Sequence, residues 1–244
     1  MLPQVNIIRA KNADFLCFNE SAGISNVLAQ HGVWDELTIH FAKTLINKNS
    51  LKPVIFDIGA NMGTFSIPIA SYVENLMSTV HAFEPQRIIF YQLCGNIFLN
   101  RIDNIHAHNF AFSNIDSIID VKPLDFNKSW NIGAYSLSES MGNVQPLTEK
   151  SEKVIFKSMN DCSLDDQITL IKIDVEGMEL EVLQGGLAFI SKNNFPPILF
   201  EYNNGDPKGP FVLKLLTQMG YILSKYADSD YLAQHPEFSA EMIN

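Results

Sequence analysis

The stretch VIFDIGANMGTFS, residues 54–66, decides how this chain is read. Val54–Ile58 is a short apolar run interrupted only by Asp57, and it leads straight into Gly59, Asn61 and Gly63. A run this short, without polar alternation, suits a strand covered on both faces. Glycines at 59 and 63 allow a sharp turn and a close approach of backbone to ligand. A helix is expected to follow, with N–H groups and the positive end of its dipole at the turn. Pro68 is compatible with that helix, because the first amides of a helix have no internal partner to lose. The glycine spacing is G-x-x-x-G, not the G-x-G-x-x-G of dinucleotide folds. A carboxylate at the strand end suits a ligand carrying an ammonium group better than a pyrophosphate.

Outward from this turn the pattern repeats. Apolar runs at 80–83, 105–112, 170–175 and 198–202 read as further strands. Amphipathic stretches at 88–99, 179–190 and 211–219 read as helices. Alternating strand and helix implies a doubly wound, mostly parallel sheet with helices on both faces. Upstream, residues 1–25 look irregular or strand-like, and 25–47 reads as helical material interrupted at Gly32. The segment 114–157 breaks the alternation and is expected to be an insertion of short strands and loops.

Three more motifs place acids at strand ends. HAFEP (81–85) closes a strand on Glu84, 21 residues after Gly63 (84 − 63), the distance at which Rossmann-type folds set an acid against ribose hydroxyls. His81, inside that strand, reads as a core or near-core histidine. LIKIDVEGMELEVLQGG (170–186) delivers Asp174 and Glu176 to a turn, and ILFEYNN (198–204) ends a strand on Glu201. In open α/β sheets ligands bind beyond the carboxyl ends of strands, so these acids belong in the cleft. Glu179 and Glu181 open the next helix, where negative charge complements the dipole in any case.

Composition bounds the function. The chain has 244 residues, 46% hydrophobic and 18% charged, which suits one globular α/β domain. No stretch approaches a membrane span, and MLPQVNIIRAKNADF has no secretory h-region. The net charge of −10 and the lack of a Lys/Arg run disfavour a nucleic-acid partner. Cys17, Cys94 and Cys162 are odd in number and far apart, which suits reduced thiols and a cytoplasmic protein.

Together FDIGANMGTFS, HAFEP, NIGAYSL (131–137), IKIDVEGMELEVLQGG and ILFEYNN resemble the FkbM family of methyltransferases. The likeness covers about residues 54–204. It implies a Rossmann-like class I methyltransferase fold, S-adenosylmethionine as cofactor, and O-methylation of a hydroxyl on a sugar, glycan or other small natural product. It further implies that Asp57, Gly59, Ala60, Asn61, Gly63 and Thr64 cradle the methionine end, with Asp174 beside them. Glu84 and Pro85 would then meet the ribose, and Asn109, Phe110 and Ala111 the adenine. The third strand ends in AFSN, with no obvious acidic partner for the adenine amino group. Residues 1–50 are expected to form an extension packed on a methyltransferase domain spanning 51–244.

Methyl transfer needs an aligned acceptor and removal of its proton. Asp174, Glu176 and Glu201 are the candidate bases, with His235 next in line. No metal ligand set is assigned, although these three acids would also suit Mg²⁺. Trp130, Asn131 and Tyr135 are candidates to contact a sugar ring. The competing readings are a non-catalytic S-adenosylmethionine-binding protein, an NAD-dependent oxidoreductase, which the glycine spacing disfavours, and a nucleic-acid methyltransferase, which would need a basic groove.

Overall fold

The computed structural model describes residues 5–18, 23–49, 52–128, 131–133, 135–137, 146–162, 167–202 and 205–238, with backbone alone at 47–49. Trp130, Asn203 and Asn204 lie outside the described residues.

The chain opens with a hairpin of β1 (Val5–Arg9) and β2 (Asp14–Phe18), then α1 (Ile24–His31) and α2 (Glu36–Asn49). The core alternation follows: β3 (Val54–Ile58), α3 (Ser66–Tyr72), β4 (Thr79–Phe83), α4 (Arg87–Leu99) and β5 (Ile105–His108). Next come β6 (Ala111–Phe112), β7 (Ser117–Val121), β8 (Glu152–Lys157) and β9 (Leu170–Ile173). The last elements are α5 (Glu179–Gly185), α6 (Leu187–Lys192), β10 (Ile198–Glu201), α7 (Gly209–Gln218), β11 (Ile222–Lys225) and β12 (Asp230–Gln234).

Seven strands form one sheet in the order β11-β12-β10-β9-β3-β4-β5. Only β12 runs against the others. The connections leave β3 in one direction toward β4 and return on its other side at β9, so the topological switch point lies at the carboxyl end of β3. That is the place where open α/β sheets bind ligands. The fold is Rossmann-like, a doubly wound and mostly parallel sheet covered by helices.

Alternation along β3 explains why its run is apolar throughout. Val54, Phe56 and Ile58 face a core shared with Val182, Phe189 and Leu216 of α5, α6 and α7. Ile55 faces the opposite core, with Ile46 of α2 and Ile69 of α3. Each such buried side chain contributes roughly 1.5–3 kcal/mol.

Several boundaries differ from the sequence reading. The run 105–112 is two strands, because β5 ends in the main sheet and β6 pairs parallel with β8 in a separate sheet ordered β6-β8-β7. Asn109 makes the break, donating from Nδ2 to the carbonyls of Glu84 (2.9 Å) and Pro85 (3.1 Å). The stretch 179–190 is two helices that meet at Gly185–Gly186. A side chain at Gly185 would lie 1.9 Å from the Ser113 carbonyl oxygen, so this turn is pressed onto the loop that follows β6. The helical stretch 25–47 divides at Gly32, which has φ +71°. The antiparallel pair β11–β12 has no counterpart in the sequence reading. The hairpin β1–β2 is tied to α4 by Asn96 and Asn100, which accept from the Leu16 and Asp14 amides at 2.6 and 2.8 Å.

Candidate active site

The carboxyl ends of β3, β4, β9 and β10 open into one cavity of about 550 Å³, within the range usual for small-ligand sites. The glycine turn forms its floor. Gly59 has φ +85°, and a Cβ there would lie 1.8 Å from the Asp174 carbonyl oxygen. Only glycine lets the β3 and β9 turns touch in this way. Ala60, Asn61 and Thr64 line the cavity directly. Gly63, with φ +92°, packs against Ile67 and Leu93 beneath it.

Glu84 ends β4 in the cavity wall, 4% exposed. Its Oε2 accepts from the Asn61 amide at 3.0 Å and its Oε1 from the Gln86 amide at 2.8 Å. Burial pushes its carboxyl up to about 7, against the pull of those two amides. Pro85, Phe110 and Ala111 also line the wall, beside Phe83 and Phe112. Asn109 does not, since its amide is spent on the two carbonyls that shape the turn.

Asp57 is 0% exposed and stands behind the wall. Its Oδ2 accepts from Ser66 Oγ at 2.5 Å, and its Oδ1 lies 3.4 Å from Lys172 Nζ. Lys172 in turn donates to Asp174 Oδ2 at 3.1 Å. Sequence reasoning passed over Lys172. A lysine inside the run LIKID looks like an ordinary strand residue, and only the register that sets it beside Asp57 reveals its role.

Across the cavity, Asp174, Glu176 and Glu201 bring carboxylate oxygens within 4.8 Å of one another, close enough to share a cation. Burial and then the Asp174 charge raise Glu176 to about 7. Burial, Asp174, Glu176 and Glu179 raise Glu201 to about 8. The turn that carries Glu176 is strained, with φ +54° at Glu176 and +95° at Gly177. Buried Glu179 braces it by accepting from the Val175 and Gly177 amides at 3.2 and 3.3 Å. Gly133 and Ser136 reach the two halves of the site. A side chain at Gly133 would lie 3.0 Å from Asn61 Nδ2, and Ser136 Oγ donates to the Glu176 carbonyl. Asn131 and Tyr135 line the cavity, and the Tyr135 hydroxyl donates to the Lys122 carbonyl at 3.0 Å. His235 is not in the wall; its ring stacks on Phe195 with centroids 4.2 Å apart.

The sequence matches the Methyltransferase FkbM domain over residues 57–223. The chain belongs to this family. No curated protein sequence matches it significantly. Among solved structures, methyltransferase FkbM from Methylobacillus flagellatus KT is 19% identical, aligned over 75% of this chain and 44% of its own, with a TM-score of 0.49. Precorrin-6y C5,15-methyltransferase from Geobacter metallireducens GS-15 is 11% identical over 88% of this chain and 93% of its own, with a TM-score of 0.50. The Pyrococcus abyssi tRNA (uracil-54, C5)-methyltransferase, in complex with S-adenosyl-L-homocysteine, is 11% identical over 94% of this chain and 43% of its own, also at 0.50. This chain therefore spans less than half the length of the first and the third.

The FkbM domain does not supply the whole cavity. Trp34 and Asp35, at the corner between α1 and α2, line its mouth, as do Ser229 and Asp230 before and at the start of β12. All four lie outside residues 57–223, and none was singled out from sequence. Thr38 Oγ1 and the Tyr226 hydroxyl, 2.9 Å apart, join the two rims. Burial raises the Asp230 carboxyl to about 6, with Asp35 and Asp174 adding to it. Elsewhere, half-buried His81 sets its Nδ1 3.1 Å from His108 Nε2, away from the cavity wall. Among the described residues, no helix is long and apolar enough to cross a membrane.

Proposed function

We propose that this FkbM-domain chain transfers the methyl group of S-adenosylmethionine to a hydroxyl of a sugar, glycan or other small natural product. One observation carries the reading. Glu84, held on two backbone amides beside a glycine turn, faces the crowded acids Asp174, Glu176 and Glu201 across a single cavity.

The residues fit the cofactor. Glu84 keeps acceptor capacity for a pair of ribose hydroxyls, because a carboxylate has about four lone-pair sites and two are taken by amides. Phe83, Phe110, Ala111 and Phe112 offer an apolar wall to an adenine ring. Gly59 lets the β3 and β9 turns close together beside this wall. When bound, the cofactor supplies an already activated methyl group. This chain's residues then need to align the acceptor and take its proton. Glu201 and Glu176, raised to about 8 and about 7, are tuned to accept a proton near neutral pH. Mg²⁺ forms no part of this reading, since Lys172 already supplies the counter-cation of Asp174.

Calorimetry with S-adenosylhomocysteine, followed by transfer of labelled methyl to a panel of sugars, glycans and polyketides, tests the proposal. Binding followed by label in a hydroxyl supports it. Binding with no transfer to any acceptor favours a sensor or scaffold, and no binding at millimolar ligand overturns the reading.

A further inference from the structure

Six carboxylates line the cavity, from Asp35, Glu84, Asp174, Glu176, Glu201 and Asp230, and among the described residues Lys172 is the one cation in that wall. Lys172 is already paired with Asp57 and Asp174, at 3.4 and 3.1 Å. Even with Glu84, Glu176 and Glu201 protonated, the three aspartates outnumber Lys172 and the sulfonium of a bound cofactor. The uncompensated charge sits at the mouth. Asp35 and Asp230 reach it from opposite ends of the chain, and the Thr38–Tyr226 hydrogen bond of 2.9 Å holds their two rims together. None of the ion pairs among the described residues includes either aspartate. Burial raises both carboxyls, and the Asp174 charge adds to each. Beside Asp35 stands Trp34, which lines the cavity and packs on the core that holds Leu28 and Met62, so its ring is fixed in place.

An indole face and a carboxylate both attract an ammonium group, the first through its quadrupole and the second through charge-assisted hydrogen bonds. The indole also covers the apolar face of a sugar ring. Resting on the function proposed above, we propose that the acceptor is a sugar bearing a protonated amine, and that Trp34, Asp35 and Asp230 select it by holding its ammonium at the mouth. An acidic cavity also draws such a cation inward. A carboxylate or phosphate on the sugar would meet the unpaired aspartates and be rejected, while a neutral sugar gains no charge-assisted contact from them. The arrangement fixes which atom is methylated. A nitrogen held as ammonium has no lone pair to attack with, so a hydroxyl of the same sugar is the nucleophile and Glu176 or Glu201 takes its proton.

Matched acceptors test this in the full chain. Transfer from labelled S-adenosylmethionine is measured at neutral pH on glucosamine, galactosamine and mannosamine, on their N-acetyl and parent forms, and on the corresponding uronates. At least one amino sugar is expected to show a kcat/KM about tenfold or more above its N-acetyl and parent forms, the worth of one charge-assisted hydrogen bond. The label should lie on oxygen, and the uronates should take none. Asp230→Asn and Asp35→Asn keep shape and remove charge, and asparagine still serves at the start of α2. Each should raise the KM of the amino sugar by about tenfold, with kcat and the S-adenosylhomocysteine Kd moving by less than about threefold. Either variant carries the test if the other fails to fold. An unchanged KM in the folded variants overturns the role of the mouth. Equal or better transfer to the neutral sugars or uronates, label on nitrogen, or transfer to no sugar by protein that binds S-adenosylhomocysteine overturns the acceptor class and leaves the cofactor reading standing. Protein that does not bind S-adenosylhomocysteine overturns the cofactor reading, and this inference with it.

Discussion

The two flanks of the central strand treat their acids differently. On the β4 side a single carboxylate, Glu84, is pinned by two amides and faces an aromatic wall. On the β9–β10 side three carboxylates crowd within 4.8 Å, Asp174 and Glu176 beside a turn braced by Glu179 and Glu201 at the end of β10. A lone acid with fixed backbone donors is pre-organised to hold a ligand, since its geometry costs nothing further on binding. Crowded acids in a low-dielectric cavity cannot all ionise readily, so one is kept ready to exchange a proton. Under the proposed function, the first flank holds the cofactor and the second exchanges the proton.

The largest effect expected from breaking it is on turnover. Glu201→Gln or Glu176→Gln keeps shape and removes the charge. Methyl transfer should fall by about 10²–10⁴-fold if that residue is the base, with S-adenosylhomocysteine affinity nearly intact by calorimetry. If both amides turn over at the wild-type rate, the division of labour is wrong. Next comes the point where the flanks touch. Gly59→Ala places a methyl on the Asp174 carbonyl in a left-handed conformation. The backbone penalty alone is roughly 1–3 kcal/mol. Thermal unfolding should drop by several degrees, at about 2–4 °C per kcal/mol for a chain this size; an unchanged Tm would mean that the two turns are not in contact.

Glu84→Ala probes the binding flank. Loss of charge-assisted bonds worth roughly 1.5–3 kcal/mol should raise the S-adenosylhomocysteine Kd by about tenfold or more. An unaltered Kd would reduce Glu84 to a brace for the Asn61 turn. The smallest effect is on stability against pH. Glu176 and Glu201 are raised from 4.5 to about 7 and about 8, so the folded protein holds protons that the unfolded chain has already released. Their contribution is fully present below pH 4.5 and is lost as pH rises through 7 to 8. The ligand-free Tm should therefore decline across that window, and Glu201→Gln should flatten the decline. The acid limb of the rate profile should fall in the same range, because the base must be deprotonated.

Much of this was legible in the sequence because it is local. A strand, a glycine turn and a helix follow one another within residues 54–72, so the run of residue types carries the geometry with it. The strand-end acids were legible for the same reason, since every parallel strand delivers its last residue to the same edge. What depends on neighbours distant in sequence was not. Asn109 reads as a strand residue until Glu84 and Pro85 arrive from 25 and 24 residues away to take its amide.

The sequence by itself thus determined the alternating α/β architecture, the binding edge and the acids that reach it, because backbone periodicity and turn chemistry are properties of short segments. Only the tertiary structure decided which acids face the cavity and which face inward. Asp57 and Glu84 are both strand-end carboxylates on adjacent strands. The register of β9 sets Lys172 beside Asp57 and withdraws its charge into the interior. Glu84 meets two amides at the turn and stays in the wall. Trp34, Asp35 and Asp230 complete the mouth from opposite ends of the chain, a convergence set by how packed layers bring distant segments together and carried by no single stretch of residues.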